Sequence, residues 1–255
     1  MNKHYFFLDG MPRAGNTLLA SILNQNPDVQ TSANSLVIGL LHKIHSSKST
    51  DLFGNFPDHS SLDNVIENII PNYYKDWNYK YIIDRSNVGL GDTLMLLEKH
   101  LKNYVKIIVL DRNLEDVISS FIKVHKNWNL PIEGQVQHLL RQNGLIHNGM
   151  SSIKNLKDPK YKDITHFIMY EDLVKSPEQV INGIYKFLEI PTYNHHFTNL
   201  DKFSSNGLTY NEEWYLPSKV TVNLHDIKTD NINLTRHEKL PEKIVKLCSK
   251  IKESF

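Results

Sequence analysis

Residues 4 to 23, His-Tyr-Phe-Phe-Leu-Asp-Gly-Met-Pro-Arg-Ala-Gly-Asn-Thr-Leu-Leu-Ala-Ser-Ile-Leu, constrain the fold more than any other stretch. Tyr5 to Leu8 is a short apolar, aromatic run of the kind that forms a buried strand. Gly10 to Thr17 follows as a turn, and Leu18, Leu19, Ile22 and Leu23 then recur at helical spacing. A strand that runs through a glycine loop into a helix makes an anion site. The N–H groups of the loop and of the first helical turn lack partners and converge on one point, where the helix dipole favours negative charge.

The loop itself reads Gly10-Met-Pro-Arg-Ala-Gly15-Asn16-Thr17. It has both glycines and the terminal Thr of a nucleotide phosphate loop, but Asn16 stands where that loop carries lysine, and a cation sits three residues earlier as Arg13. An ATPase or GTPase would lack the lysine that reaches the β- and γ-phosphates. The glycine spacing alone also fits an ordinary strand-turn-helix corner; the strand before and the helix after favour the anion site.

With 255 residues the chain is long enough to bury a proper core, and we expect one domain over 1–255. Its core should span about 1–191, followed by a loop-rich segment, 192–255, that ends in a helix. The net charge of +1 suggests no nucleic-acid partner, so an anion site must come from a few placed cations. Cys248 is the single cysteine, which rules out an internal disulfide and suits a reducing compartment. The N-terminus lacks the pattern of a signal peptide and no run of about 18 apolar residues exists, so the expected location is cytoplasmic with no membrane span.

Further along, Leu36 to Ile44 reads as a helix and Ser46 to Ser61 as a polar loop. Leu62, Val65, Ile66, Ile69 and Ile70 form a helical stripe that Pro71 should stop. Tyr81 to Ile83, Val105 to Leu110 and Thr165 to Met169 are three more strands. Helical stripes follow at Leu90–Leu101, Leu114–Ile122 and Val180–Leu188, and Pro131–Leu156 is helical with a break near Gly144. Ser176-Pro177-Glu178-Gln179 has the pattern of a capping box, and Pro191 closes the helix it opens. Residues 192–239 read as long loops that could cover the site, and Pro241–Ile251 as a terminal amphipathic helix. Strands alternating with helices predict an α/β fold with a parallel sheet, in which ligands bind beyond the carboxyl ends of the strands. Three such ends carry a cation: Arg13, Arg85 and Arg112.

Two stretches together resemble the sulfotransferase family. Pro12-Arg13-Ala14-Gly15-Asn16-Thr17-Leu18 is similar to that family's 5′-phosphosulfate loop, Pro-(Arg/Lys)-(Ser/Thr)-Gly-(Ser/Thr)-Thr-(Leu/Trp). Ala14 and Asn16 depart from it, each replacing a hydroxyl residue. Arg112-Asn-Leu-Glu-Asp-Val-Ile-Ser-Ser120 resembles its 3′-phosphate motif, in which an arginine at a strand end and a serine two turns into the next helix pinch one phosphate. Taken alone, the second stretch also fits a helix whose first-turn carboxylates suit its dipole. Leu23 to Val29 is similar to a stretch of tyrosylprotein sulfotransferases, and Tyr170-Glu-Asp-Leu173, then Pro177 and Phe187-Leu-Glu-Ile-Pro191, to a further family pattern.

The resemblance implies a P-loop-like three-layer fold, with a central parallel sheet flanked by helices. It also implies 3′-phosphoadenosine-5′-phosphosulfate (PAPS) as co-substrate, without a metal, and in-line transfer of a sulfuryl group to a hydroxyl or amine that leaves adenosine 3′,5′-bisphosphate. Carried over residue by residue, Arg13, Ala14, Gly15, Asn16, Thr17 and Leu18 would hold the phosphosulfate, Arg112 and Ser120 the 3′-phosphate, and Tyr170 the adenine. Arg85 lies where the family has a lysine, and with Arg13 would stabilise the charge on the leaving oxygen; a guanidinium can do this but cannot donate its proton. Asn34 and Asn87 stand at the family's two general-base positions, and neither amide accepts a proton at neutral pH. Asp9 and Asp84 lie near strand ends and are weighed for that role without an assignment; no base is named. His42, His45, His195 and His196 lack the neighbours of a metal site. The expected partner is a small-molecule, carbohydrate or peptide acceptor, with a homodimer left open. Two alternatives stand beside this reading, a P-loop kinase or NTPase and a catalytically inactive nucleotide-binding module.

Overall fold

The computed structural model describes residues 2–32, 34–101, 105–124, 130–209 and 240–254. The chain starts with β1 (His4–Gly10), α1 (Asn16–Leu23) and β2 (Val29–Thr31), followed by α2 (Val37–Ser46), α3 (Asp51–Asn55) and α4 (Ser60–Tyr73). Next come β3 (Tyr81–Arg85), α5 (Thr93–His100), β4 (Ile107–Asp111), α6 (Leu114–Val124), α7 (Ile132–Leu140) and α8 (Leu145–Leu156). The last elements are β5 (Thr165–Met169), α9 (Tyr170–Lys175), α10 (Pro177–Leu188) and α11 (Glu242–Ser254).

The five strands form one parallel sheet in the order β2-β3-β1-β4-β5. β1 is therefore central, with Leu8 opposite Arg85 of β3 and Gly10 opposite Leu110 of β4. From β1 the chain goes first to one side, through β2 and β3, and then crosses to β4 on the other. The order reverses at β1, and it is at such a switch point, beyond the carboxyl ends of the strands, that ligands bind in sheets of this kind. Phe7, Leu8, Ile82, Ile83 and Ile107 to Leu110 are all fully buried, because a parallel sheet is covered by helices on both faces. One face of β1 packs on Tyr74, the residue that caps α4, through its stacked Tyr5, and on α8, where Ser152 Oγ donates to Asp9 at 2.7 Å.

The expected α/β fold with a parallel sheet is thus observed, and α7 and α8 are separated just before Gly144 as foreseen. Other expectations need correction. α4 continues two residues past Pro71: in the last turn a proline costs one hydrogen bond, and the buried Ile66, Ile69 and Ile70 hold the helix regardless. The polar stretch 46–61 contains a 3₁₀ turn and α3, whose N-cap Thr50 accepts from Phe53 N–H. Tyr170 is the first residue of a short helix, α9. Pro177 opens α10 as expected, but the Ser176 side chain makes no capping bond. Residues 192–209 pack on the C-terminal end of α1: His196 N–H donates to Gln25 Oε1 at 2.9 Å, and Asn24 Nδ2 to Ser204 O at 3.3 Å. The remainder of the 192–239 stretch, from 210 on, lies outside the described residues.

α11 packs on α6, burying Ile244 and Cys248, with Lys252 Nζ 3.3 Å from Glu115 Oε1. Burial, helped by the Glu115 carboxylate, pushes the Cys248 thiol up to about 11.

Candidate active site

The loop after β1 is held in a tight curl. Arg13 adopts a left-handed backbone (φ 67°), and Gly15 has φ 104°. A Cβ on Gly15 would lie 2.5 Å from the Tyr170 ring, so only glycine fits between this loop and α9. Ala14 N–H donates to Met11 O at 3.2 Å, and Asn16 Nδ2 to the same carbonyl at 2.9 Å. The Asn16 amide thus ties the loop to itself instead of facing a ligand, and what Asn16 offers an anion is its backbone N–H at the start of α1. Thr17 and Leu18, in the first turn of α1, are partly exposed.

β4 delivers the second cation next to the first. Arg112 is only 6% exposed. Its Nη1 donates to the Arg13 carbonyl at 3.1 Å, and its Cζ lies 4.1 Å from the centroid of the Tyr170 ring. Arg13 Nε in turn donates to Ser120 Oγ, on α6, at 3.2 Å. Gly15, Tyr170, Arg112, Arg13 and Ser120 form one continuous run of contacts, assembled from four places in the sequence. Burial raises the Tyr170 hydroxyl above the ordinary tyrosine value, with Arg112 opposing.

Arg85 approaches from the other neighbour of β1. Its Nη2 donates to Gly10 O at 2.8 Å and its Nη1 to Asn87 Oδ1 at 3.5 Å. Its guanidinium therefore lies between the anion loop and a cleft of about 360 Å³, which is lined by Arg85, Asn87, Asn34, His42 and Thr93, among others. The two asparagines, far apart in sequence, face the same space. So does His42, which no motif or spacing singled out for catalysis. Its partner Asp92 lies 50 residues away, and only the packing of α2 against the turn before α5 brings the pair together.

Asp9 and Asp84 are walled in and do not face a ligand. Asp9 accepts from Gly89 N–H at 3.1 Å and from Ser152 Oγ; Asp84 accepts from the Tyr74 hydroxyl and from Ser86. Burial raises both carboxyls above the usual carboxylate range, against the hydrogen bonds they accept. They position the strand ends. Among the described residues no group of three or more His, Cys, Asp or Glu side chains converges as metal ligands would. Nor is any helix among them long and apolar enough to cross a membrane.

A parallel α/β sheet with a glycine loop at its switch point, and guanidinium groups from two strand ends and the loop gathered there, defines an α/β protein with its cations placed where such sheets bind ligands. The sulfotransferase domain model matches residues 3–221, and the chain belongs to that family. A comparison with curated protein sequences gave no significant match. Among solved structures the chain is similar to the sulfotransferase domain from the Synechococcus PCC 7002 olefin synthase, with 18% identity over 98% of this chain and 95% of that one and a TM-score of 0.54. It is also similar to the sulfotransferase domain from the curacin biosynthetic pathway, with 17% identity over 99% and 98% of the two chains and a TM-score of 0.51. A retinol dehydratase solved with retinol and PAP is 14% identical over 99% of this chain and 81% of that one, at a TM-score of 0.51. At these identities the likeness is one of fold, and it agrees with the P-loop-like three-layer architecture. Family membership favours sulfuryl transfer over the kinase or NTPase alternative.

Proposed function

We propose that this protein is a PAPS-dependent sulfotransferase, formed as a single domain, that moves a sulfuryl group to a hydroxyl or amine of a small acceptor. The observation that carries the reading is the pairing of Arg13 and Arg112 beyond the carboxyl ends of β1 and β4, joined through the Arg13 carbonyl and flanked by Ser120. The donor supplies an activated sulfuryl group and a bisphosphate leaving group. Arg13, the N–H groups of Ala14 to Leu18 and the Thr17 hydroxyl bind its 5′ end. Arg112 and Ser120 bind the 3′-phosphate, and Tyr170 backs Arg112 at the adenine end. Arg85, next to Gly10 at the mouth of the acceptor cleft, stabilises with Arg13 the negative charge that grows on the leaving oxygen. Positioning and electrostatics carry the rate, without a proton from either arginine. The retinol bound to the dehydratase is a small apolar alcohol, and a cleft of about 360 Å³ suits an acceptor group of modest size.

Calorimetric titration with adenosine 3′,5′-bisphosphate, AMP and ATP, each with and without Mg²⁺, tests this. The 3′-phosphorylated ligand should bind tightest, without Mg²⁺. Mg²⁺-dependent ATP binding in preference to the bisphosphate would overturn the reading.

A further inference from the structure

We propose that His42 is the general base of the acceptor site, with Asp92 as its positioning residue; this rests on the sulfotransferase reading. The cleft beside Arg85 is lined by two amides, Asn34 and Asn87, that cannot take up a proton at neutral pH. His42 is the lining side chain that can. It keeps 36% of its side-chain surface exposed, enough to meet an acceptor. Its Nδ1 lies 3.2 Å from Asp92 Oδ1, and its Nε2 lies 2.7 Å from Thr93 Oγ1. The carboxylate at Nδ1 fixes the proton on that nitrogen and leaves the Nε2 lone pair as the acceptor. Thr93 Oγ1 has a second partner for its own proton, the Leu90 carbonyl at 2.7 Å, so an incoming hydroxyl can displace it from Nε2 without stranding it.

The step balances within the site. The acceptor oxygen forms the new bond to sulfur while the bond from sulfur to the bridging phosphate oxygen breaks. That electron pair leaves with the adenosine bisphosphate, next to Arg85 and Arg13. The acceptor proton passes to His42 Nε2, and the imidazolium is held by Asp92 through Nδ1–H. Among the described residues, the charged or titratable groups near the ring are Asp92 before α5, His45 one turn along α2 and 4.0 Å from the other Asp92 oxygen, and Arg85, which lines the same cleft.

The test combines a spectroscopic and a kinetic arm. In ¹⁵N-histidine-labelled protein with bound adenosine 3′,5′-bisphosphate, the His42 ring, assigned by its loss in His42→Gln, should show a proton on Nδ1 and none on Nε2 at pH 8. Asp92→Asn should disturb that tautomer and His45→Gln should not. A ring still carrying both protons at pH 8, or protonated on Nε2 alone, would overturn the proposal. With PAPS and a panel from p-nitrophenol to benzyl alcohol, His42→Gln should lose roughly 100-fold or more in kcat on the alcohol. It should lose less than about 10-fold on the already ionised p-nitrophenol, and the acid limb of the pH profile should vanish. An equal loss on every acceptor, or none, would also overturn it. If no member of the panel is turned over, the ring spectrum decides alone. His42→Gln should bind adenosine 3′,5′-bisphosphate as tightly as wild type. Failure of the wild type to bind it would instead sink the donor assignment.

Discussion

Arg112 concentrates several demands in one side chain. It is almost fully buried, it stacks on Tyr170, it braces the carbonyl of Arg13, and in the proposed function it also receives the 3′-phosphate. A charge-assisted hydrogen bond contributes about 1.5–3 kcal/mol, so Arg112→Ala should weaken adenosine 3′,5′-bisphosphate binding roughly 10- to 150-fold by calorimetry while leaving AMP binding less affected. Arg112→Lys restores the charge but neither the planar fork nor the stacking, and should recover only part of the loss. Asp9 tests a buried carboxyl by its pH dependence. Burial raises its folded-state pKa above the unfolded value of about 3.9. In the window above pH 4 the folded state therefore holds a proton that the unfolded chain has lost. The stability from this group is complete at low pH and falls as pH rises through the folded value. Urea midpoints of wild type and Asp9→Asn should diverge in favour of the variant as pH rises from about 4, and parallel curves would refute this. The three arginines at the strand ends were legible because each sits in a motif only a few residues long. His42 was not, because its chemistry depends on Asp92, which only folding brings near.

At the scale of elements, long periodic segments were legible and short ones were not. β4 opens with four apolar residues, all buried, and packing agrees with propensity. β2 has three residues and α3 five, too few for a period to show; β2 exists because β3 offers it an edge, Val29 pairing with Tyr81. Asn16 shows the same limit, since its residue type suggested a ligand contact and the loop uses it as an internal tie. Helix α8 gives an element-level prediction through Gly149. A Cβ there would lie 2.8 Å from Met11 Cα and 3.3 Å from Pro12 Cδ, so α8 presses directly on the anion loop. Gly149→Ala gains up to about 1 kcal/mol of helix propensity but overpacks a backbone contact, at about 1–3 kcal/mol. It should lower the urea midpoint and weaken adenosine 3′,5′-bisphosphate binding together. Gly54→Ala on α3, with nothing within 4 Å of the added Cβ, should leave binding unchanged and raise stability by about 0.5–1 kcal/mol.

For the whole molecule, the consequence is linkage between ligand and fold. The candidate site draws on the loop after β1, the end of β4, the second turn of α6 and the start of α9, so a ligand gripped by all four would hold the central strands and β5 in one arrangement. The net charge is +1, so little long-range attraction backs the site and affinity must come from these local groups. A ligand that binds only the folded state stabilises it by about 2.7 kcal/mol at a hundred times its Kd, or roughly 5–10 °C in Tm for a chain of this size. Adenosine 3′,5′-bisphosphate should give a shift of that order in a thermal melt. AMP at the same concentration should give less, because it leaves Arg112 and Ser120 without a phosphate. In Arg112→Ala the difference between the two ligands should disappear. If AMP and the bisphosphate shift wild type equally, Arg112 and Ser120 do not receive the 3′-phosphate and are held together for packing alone.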